Sequence, residues 1–306
     1  MRYGVPYKGS KNSIAKWIVS ELPSAEYFVD LFCGGCAVTH AAMLSGKYKK
    51  FIINDIDGRM PRLFIDCIKG KYTLENHPEW ISREKFEREK EQNAYIAICW
   101  SFGNNGKDYL YGKDVEPIKK AFHEAIYGDT RAFDAMGIKT PSDMSIEPYE
   151  RYLSYLRLFN SEMVNLERLL GLERLQSLQS LQSLQSLQSL QSLQSLQNDY
   201  QEVKLPADSV IYCDIPYKGT NCGKYGGFNH ERFYKWAENQ ENLYVSEYDM
   251  PDNFVEFANI EKIILSSAYG NDKKSVEKLF TNRKTYNKSN LRERRELNTA
   301  IQEKWF

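Results

Sequence analysis

The chain lacks an excess of charge of either sign, because its 306 residues include 41 Lys+Arg and 41 Asp+Glu. Nucleic-acid binders are often basic, so this balance argues mildly against one, although it does not exclude a local basic face. Long apolar runs are also missing, and no segment approaches the ~20 apolar residues of a membrane span. Residues 1–12 are polar and do not resemble a signal peptide. We therefore expect a soluble, cytoplasmic protein.

Cysteine is scarce, with six residues in the whole chain. In a chain of this length without a signal peptide, we expect these thiols to be reduced. The pair Cys33-Gly-Gly-Cys36 has the spacing of a zinc half-site or of a redox pair. No second close Cys or His pair completes a zinc site, so small residues in a tight loop are the favoured interpretation. We expect no bound metal.

The strongest sign of chemistry lies at the end of a predicted strand. The run Val210–Cys213 is apolar and β-prone, which predicts a short buried strand. Pro216 cannot donate a ladder hydrogen bond, so the strand must end before it. Asp214 is then expected at the carboxyl end of a strand, which is the edge where open α/β sheets bind their ligands.

The residues after this strand suit chemistry on an exocyclic amine. Asp214 and the carbonyl of Ile215 can both accept hydrogen bonds from one amino group. The ring of Tyr217 can stack on the flat ring that carries this group. Taken alone, the stretch is equally well explained as a buried strand that ends in an Asp-Pro-type turn, because short motifs need structural context.

A strand, a glycine turn and a helix are predicted near the amino terminus. Tyr27–Phe32 is a buried-strand candidate, Cys33–Ala37 is the turn, and Val38–Leu44 has helical character. Glycines let the backbone approach a ligand closely, and the amino end of a helix offers free amides. The turn does not match the G-x-G-x-x-G dinucleotide fingerprint, so by itself it is weak evidence for a ligand.

A third strand is predicted over Phe51–Asp57, and it contains Asp55. Asp55 falls about twenty residues after the glycine turn, where Rossmann-like sheets place an acid that binds the ribose hydroxyls. A strand-end Asp that caps the next helix is an equally good explanation when Asp55 is considered alone. Together, the glycine turn and Asp55 favour an adenosine-type cofactor.

Between residues 60 and 165 helical patterns predominate, over Arg83–Gln92, Ala94–Phe102 and Glu116–Tyr127. Aromatic and basic residues alternate there, a mixture that can bind nucleic acid through stacking and phosphate contacts. The alternative, a small helical insertion with a solvated charged face, is as well supported. The residues in question are Trp100, Phe102, Tyr109 and Tyr111, with Lys107, Lys113, Lys119 and Lys120.

Leu175–Gln197 is a nearly perfect Leu-Gln-Ser repeat, and its leucine spacing extends back to Leu166. A period of three differs from the 3.6 residues of an α-helical turn, so the leucine stripe should wind around a helix without forming a steady seam. We predict a helical or partly ordered insertion without catalytic residues, tolerant of changes in copy number. Beyond it, we predict strands at Leu243–Glu247 and Lys262–Ser266 and a helix at Lys273–Phe280.

In this order, the pieces resemble the Dam-like (D12 class) adenine-N6 DNA methyltransferases. Asp214–Tyr217 resembles the catalytic Asp-Pro-Pro-Tyr motif, with Ile215 in place of the first proline. The carbonyl of that proline is its functional atom, and Ile215 also has one, so the resemblance implies the same chemistry on a less rigid loop.

The same resemblance covers the cofactor motifs of the family. Tyr7–Lys11 is similar to its opening motif, and Asp30–Gly35 to its glycine-rich motif. Asn54-Asp55 is similar to the ribose-binding position, and Asp199-Tyr200 to the motif at the adenine of the cofactor. The cofactor residues implied are Tyr7, Lys11, Asp30, Phe32, Gly34, Asp55, Asp199 and Tyr200, and the catalytic residues implied are Asp214, Ile215, Pro216 and Tyr217.

The resemblance implies an α/β, Rossmann-like methyltransferase sheet with helices on both faces and an inserted, mainly helical target-recognition domain. It divides the chain into a catalytic domain (1–59 and 198–306), a target-recognition domain (60–165) and the repeat insertion (166–197). The expected reaction is site-specific transfer of a methyl group from S-adenosylmethionine to N6 of a flipped-out adenine in double-stranded DNA. We expect a monomer in the cytoplasm of a bacterium or of a phage-infected host, where such enzymes also serve restriction–modification.

Two alternatives to this function are carried forward. The first is a methyltransferase that acts on another amine, such as cytosine N4, RNA or a protein amide. The second is a catalytically inactive DNA-binding homologue. Methylation assays on each polymer distinguish between them.

Overall fold

Residues 2–7, 9–135, 145–160, 172–187, 192–218, 227–264 and 273–289 are described by a computed structural model of the protein. Internal contacts group the chain into two units. The sheet unit contains Ile14–Cys33, Val38–Gly58 and Ser192–Phe306. The helical unit contains Met1–Ser13, Gly34–Ala37 and Arg59–Gln191.

The sheet unit is built on seven strands in the order β3-β2-β1-β4-β5-β7-β6. Neighbours from β3 to β5 pair in parallel, whereas β7 runs antiparallel to both β5 and β6. This arrangement confirms the predicted α/β class and the Rossmann-like sheet. The strands are β1 (Tyr27–Asp30), β2 (Lys50–Asn54), β3 (Leu193–Leu196), β4 (Ser209–Cys213), β5 (Leu243–Glu247), β6 (Phe254–Ile264) and β7 (Lys273–Asn282).

The order of the strands along the chain reverses between β1 and β4. These two strands pair directly, with Asp30 opposite Tyr212. Every residue of β4 is buried, as are Phe28–Asp30 of β1. Strands that are buried on both faces need mostly apolar residues, and both of these strands have them. In open parallel sheets, the carboxyl ends of the strands beside such a reversal form the ligand-binding crevice.

Helices connect the strands and make up most of the helical unit. Among the described residues they are α1 (Ala15–Glu21), α2 (Ala37–Ser45), α3 (Arg59–Ile68), α4 (Arg83–Glu89), α5 (Ala94–Cys99), α6 (Glu116–Ile126), α7 (Arg131–Ala135), α8 (Pro148–Asn160), α9 (Glu173–Gln182), α10 (His230–Ala237) and α11 (residues 283–289). Short 3₁₀ segments occur at Phe102–Asn104, Ser183–Leu187 and Tyr200–Glu202.

The leucine repeat packs in the core of the helical unit. Five successive leucines of the repeat are completely buried: Leu175, Leu178, Leu181, Leu184 and Leu187. The first three lie on α9 and the last two on the 3₁₀ helix that begins at Ser183, whose three residues per turn match the repeat. These two helical segments contact α3, and α9 also contacts α5. Removing several units is therefore expected to destabilise the protein, contrary to the predicted tolerance.

The end of the repeat also departs from the helical expectation. Leu193–Leu196 forms β3, which pairs in parallel with β2 at the edge of the sheet. The same tripeptide therefore forms an α-helix, a 3₁₀ helix and a strand at different positions. Neighbouring backbone decides among these states, because Leu, Gln and Ser have no overriding local preference.

The helix predicted at Lys273–Phe280 is wrong, because this segment belongs to β7. Its Lys and Glu residues favour helix locally, but β7 pairs with two neighbours and buries Leu279 and Phe280 in the sheet. The segment predicted as a strand at Lys262–Ser266 overlaps β6, which ends at Ile264 among the described residues.

Candidate active site

Acidic side chains stand at the carboxyl ends of four neighbouring parallel strands. Asp30 ends β1, Asp55 follows β2, Asp214 follows β4, and Glu247 ends β5. Because β2, β1, β4 and β5 are consecutive in the sheet, these carboxyl groups belong to one edge. An edge with this concentration of carboxyl groups favours a cationic or amine-bearing ligand.

Asp30 is almost completely buried at this edge. Its Oδ2 accepts a hydrogen bond of 2.7 Å from the Thr39 hydroxyl on α2. Its Oδ1 is buried and has no hydrogen-bond partner among the described residues. Burial is the largest cause that raises the pKa of Asp30 to about 7. The Thr39 hydrogen bond opposes this rise, and the nearby carboxylates of Asp214 and Asp55 contribute to it. Such an unsatisfied buried carboxyl is a candidate for contact with a ligand.

Asn54 joins three segments at this edge. Its amide Nδ2 donates to the carbonyls of Leu31 and Asn198, both at 3.1 Å, and its Oδ1 accepts from the backbone N–H of Asn198 at 3.0 Å. The next residue, Asp55, is buried, and its Oδ1 accepts from the backbone N–H of Asp57 at 2.9 Å. Asn54 therefore fixes the start of the Asp199-Tyr200 motif beside the end of β2.

The Asp199-Tyr200 motif is held by α10. Arg232 donates to the Asp199 carboxylate at 2.9 Å and lies over the Tyr200 ring, with 5.6 Å between the guanidinium carbon and the ring centroid. The Tyr200 ring packs in the core against Phe32, with ring centroids 5.4 Å apart. Two predicted cofactor residues, Phe32 and Tyr200, are thus in contact, and the structure gives Asp199 an ion-pair partner in Arg232.

The segment Asp214–Tyr217 leaves the sheet as predicted, directly after β4. Ile215 is only 2% exposed and packs in the hydrophobic core of the sheet unit. Tyr217 donates its hydroxyl to Glu277 Oε2 at 2.9 Å, and the ring of Tyr248 meets it edge-on at 4.6 Å. Burial, followed by the charges of Asp214 and Glu277, raises the pKa of Tyr217 far above its ordinary value, so its hydroxyl stays protonated.

Three predicted cofactor residues, Tyr7, Lys11 and Gly34, belong to the helical unit. The glycine turn contacts the amino-terminal segment there, because the Val5 N–H donates to the Gly35 carbonyl at 2.7 Å. A Cβ on Gly35 would lie 2.9 Å from the Val5 carbonyl oxygen and 3.3 Å from the Tyr7 Cβ. The turn therefore requires glycine, and it brings together the two motifs that were predicted around Tyr7 and Gly34.

The model of the D12 class N6 adenine-specific DNA methyltransferase family matches residues 7–165, just over half of the chain. The chain belongs to this family. It is accordingly an enzyme that methylates the N6 position of adenine in DNA at specific sites, with a methyl donor as its second substrate. The matched segment ends before β4 and does not include Asp214. Comparison with curated proteins gave no match.

Most of the aromatic residues expected to contact DNA in this methyltransferase lie in the core of the helical unit. Trp100, Tyr109 and Tyr111 are buried, and so is Lys119, whose ammonium lies 5.4 Å from the centroid of the Tyr111 ring. The Arg174 guanidinium is buried in the same cluster and stacks on the Trp100 ring, 5.0 Å from its centroid. The stacking role predicted for these three rings is therefore not supported by their burial.

Phe102 is different, because its side chain is 67% exposed. It begins a tight loop whose ends are joined by the hydrogen bond from the Phe102 N–H to the Asp108 carbonyl, at 2.9 Å. The loop is anchored to α9, because Asn104 Nδ2 donates to Ser177 Oγ at 2.9 Å. In the described part of the methyltransferase, this loop thus presents the phenyl ring of Phe102 to solvent.

Two further expectations concern metals and membranes. The described residues contain no group of three or more His, Cys, Asp or Glu side chains that could hold a metal ion, and Cys33 and Cys36 are buried and form no disulfide with each other. None of the helices formed by the described residues has the length and apolar character needed to cross a membrane.

Four residues at the site were not predicted from the sequence: Thr39, His230, Glu247 and Glu277. Glu247 carried a usable signal, since it is a polar residue at the end of a predicted strand. The other three contact the site from α2, α10 and β7. Their roles follow from pairing and packing between distant segments, which local patterns do not encode.

Proposed function

We propose that this adenine-N6 DNA methyltransferase uses S-adenosylmethionine as its methyl donor and the Asp214–Tyr217 segment as its catalytic loop. The observation that carries the proposal is the row of acidic side chains at the carboxyl ends of β2, β1, β4 and β5, with the catalytic-loop candidate directly beside the reversal of strand order.

The residues present fit this cofactor. When bound, S-adenosylmethionine supplies a methyl group on a positively charged sulfur, already activated for transfer. The unpartnered Oδ1 of Asp30 provides a buried acceptor, and the Asp30–Asp214 edge has the sign that suits a cation. We assign Asp55 to the ribose hydroxyls, and the open space beside Gly34 lets a ligand approach the backbone closely. Tyr7, Lys11, Phe32, Asp199 and Tyr200 complete the proposed cofactor set.

The proposed catalytic role of the loop is to hold and orient the amine. The Asp214 carboxylate and the Ile215 carbonyl accept hydrogen bonds from the two N6 protons, which directs the nitrogen lone pair toward the methyl group. The Tyr217 ring stacks on the adenine, and Pro216 ends the strand so that these groups leave the sheet. Positioning and charge complementarity of this kind account for much of the rate of such reactions.

Adenine must leave the double helix to reach such a site, at a cost of about a few kcal/mol. We propose that residues 60–165 form the target-recognition domain and that residues 1–59 and 198–306 form the catalytic domain. Among the described residues of the helical unit, Phe102 has an exposed aromatic ring that is available for stacking on DNA. We further propose that the enzyme acts as a cytoplasmic monomer.

Sequencing of genomic DNA from cells that express the protein tests this function directly, because long-read methods report the modified base together with its sequence context. The proposal expects N6-methyladenine at one recognition sequence in cells that express the wild-type protein, and no such methylation in cells that do not express it. Methylation of cytosine instead, or transfer to RNA or protein in vitro, would establish the first alternative. Absence of transfer to any polymer by a folded, cofactor-binding protein would establish the inactive homologue.

A further inference from the structure

Three side chains from three elements hold three successive residues of the loop that follows Asp214. His230 Nε2, on α10, lies 2.7 Å from the Pro216 carbonyl oxygen. Glu277 Oε2, on β7, accepts from the Tyr217 hydroxyl at 2.9 Å. Glu247 Oε2, at the end of β5, accepts from the backbone N–H of Lys218 at 3.1 Å.

Each contact has only one possible direction. A carbonyl can only accept, so His230 must carry its proton on Nε2. The protonated Tyr217 hydroxyl donates, and the Glu277 side chain that receives it is 7% exposed. Glu247 receives a second backbone N–H, from Tyr248 at 2.8 Å, so both of its oxygens are engaged by the main chain. The loop is therefore held by one donor, His230, and by two acceptors, Glu277 and Glu247.

The loop needs such support because residue 215 is isoleucine. A proline ring would fix φ at this position, whereas isoleucine leaves it free to rotate. Two features replace the ring in the structure. The Ile215 side chain is anchored in the core of the sheet unit, and the three contacts fix the peptide groups that follow it. The direction of the Ile215 carbonyl is therefore set from both sides.

We propose that His230, Glu247 and Glu277 are positioning residues, which orient the Ile215 carbonyl and the Tyr217 ring without touching the substrate themselves. The inference rests on the proposed function of Asp214–Tyr217 as the catalytic loop. It assigns to these side chains the rigidity that the missing proline would supply. Loss of one contact should reduce the fraction of loops in the productive geometry and thus lower kcat, while leaving cofactor binding unchanged.

The Tyr217–Glu277 pair allows the sharpest test, a double-mutant cycle with Tyr217→Phe and Glu277→Leu. Each variant removes one partner of the same hydrogen bond, and Tyr217→Phe keeps the ring for stacking. We expect kcat for methyl transfer to fall about tenfold in each, the size typical of one lost hydrogen bond. If Glu277 acts through Tyr217, the double variant should also lose about tenfold rather than a hundredfold. Glu277→Gln retains an acceptor oxygen and should recover most of the activity.

His230 supplies an independent arm of the experiment. Glutamine can donate from its amide to the Pro216 carbonyl, whereas leucine cannot. We expect His230→Leu to lower kcat about tenfold. His230→Gln should remain within about threefold of the wild type. S-adenosylmethionine affinity by calorimetry should be unchanged in both variants, and the melting temperature should fall by no more than about a few degrees.

The outcomes separate this inference from the proposed function. Wild-type kcat in Tyr217→Phe, Glu277→Leu and His230→Leu would overturn the inference, and an Asp214→Ala variant that still lost transfer would leave the catalytic loop standing. Multiplicative losses in the cycle, or losses that follow cofactor affinity, would also overturn it. If Glu277→Leu does not fold, the kcat values of Tyr217→Phe, His230→Leu and His230→Gln test the inference by the same criteria.

Discussion

Asp30 is the last residue of β1 and pairs with Tyr212 of β4, two residues before Asp214. These two carboxyl groups therefore lie at the ends of the two strands that flank the reversal of strand order. The negative charge of Asp214 helps to raise the pKa of Asp30, after the larger effect of burial. Two carboxyl groups so placed are difficult to ionise together unless a positive charge lies between or beside them. This relationship makes the edge of the sheet receptive to a cationic ligand, at some cost to the stability of the free protein.

Asp30→Asn should stabilise the protein at neutral pH. The pKa of Asp30 is about 7 in the folded chain against the ordinary aspartate pKa of 3.8, so folding favours the neutral carboxyl. Between these values unfolding releases a proton, and the free energy of unfolding falls as pH rises, by roughly 4 kcal/mol in total. Asparagine keeps the shape and an acceptor for Thr39 but cannot ionise.

Urea unfolding of both proteins from pH 4 to pH 8 measures this effect. The variant should be more stable at pH 8, and the difference should disappear near pH 4. Asp252→Asn, at an exposed position, serves as the control and should match the wild type throughout. Parallel pH profiles for the wild type and Asp30→Asn would show that Asp30 is ionised in the fold.

Asp55→Ala should weaken S-adenosylmethionine binding, because a carboxylate at the end of β2 is placed to bind ribose hydroxyls. Hydrogen bonds to a charged group are typically worth about 1.5–3 kcal/mol, which corresponds to a loss of roughly tenfold to a hundredfold in affinity. Calorimetric titration measures the change, with Asp252→Ala as the control. Equal affinity in wild type and Asp55→Ala would contradict the ribose assignment.

The buried leucines of the repeat should be essential to stability. Leu181 is completely buried in α9, and truncation of a buried leucine to alanine typically costs about 2–5 kcal/mol. Leu181→Ala should therefore lower the melting temperature clearly. Ser186→Ala, at an exposed position of the same repeat, should change the free energy of unfolding by less than about 0.5 kcal/mol. Equal melting temperatures would mean that the leucine face is not part of the folded core.

The central strands could be predicted from the sequence because a buried strand has a local signature, a short run of apolar residues. Strands buried on both faces need continuous apolar runs, and such runs occur at residues 210–213 and 243–245. The strand β7 was missed because its lysines and glutamates favour helix and only pairing with β5 and β6 overrides them. The burial of the leucine stripe was not predicted, because it depends on packing against α3 and α5 and on the tightening to 3₁₀ at Ser183.

The candidate site likewise contains residues that the sequence predicted and contacts that it did not. Asp55 and Asp214 follow apolar runs and could be placed at strand ends from the sequence, whereas Asp30 was predicted inside the strand Tyr27–Phe32, which in the structure ends at Asp30. The supporting contacts of His230, Glu247 and Glu277 join residues 14, 29 and 60 positions apart. No periodic pattern encodes a hydrogen bond between such positions, so only the folded chain reveals them. Burial of Trp100, Tyr109 and Tyr111 was likewise invisible, because an aromatic ring suits a core and a DNA surface equally well.

Phe102→Ala should weaken productive DNA binding. Stacking of a base on an aromatic side chain is typically worth about 1–3 kcal/mol, so kcat/KM for DNA should fall roughly fivefold to a hundredfold. Leu44→Ala is the matched control, because Leu44 is 45% exposed and lies on α2 in the sheet unit. Steady-state methylation with varied DNA concentration measures both variants. A Phe102→Ala enzyme as efficient as Leu44→Ala would show that the exposed ring does not contact DNA.

The most direct test of the catalytic assignment is transfer of tritium from labelled S-adenosylmethionine into unmethylated DNA by Asp214→Ala, measured beside a cofactor-binding titration. Loss of a preorganised hydrogen-bonding group typically costs about a hundred- to a thousandfold in rate. We predict a loss of this size with cofactor affinity largely retained, because the Asp214 carboxylate is assigned to the adenine amine. Transfer close to the wild-type rate would contradict the account. Joint loss of transfer and cofactor binding would assign Asp214 to the cofactor instead.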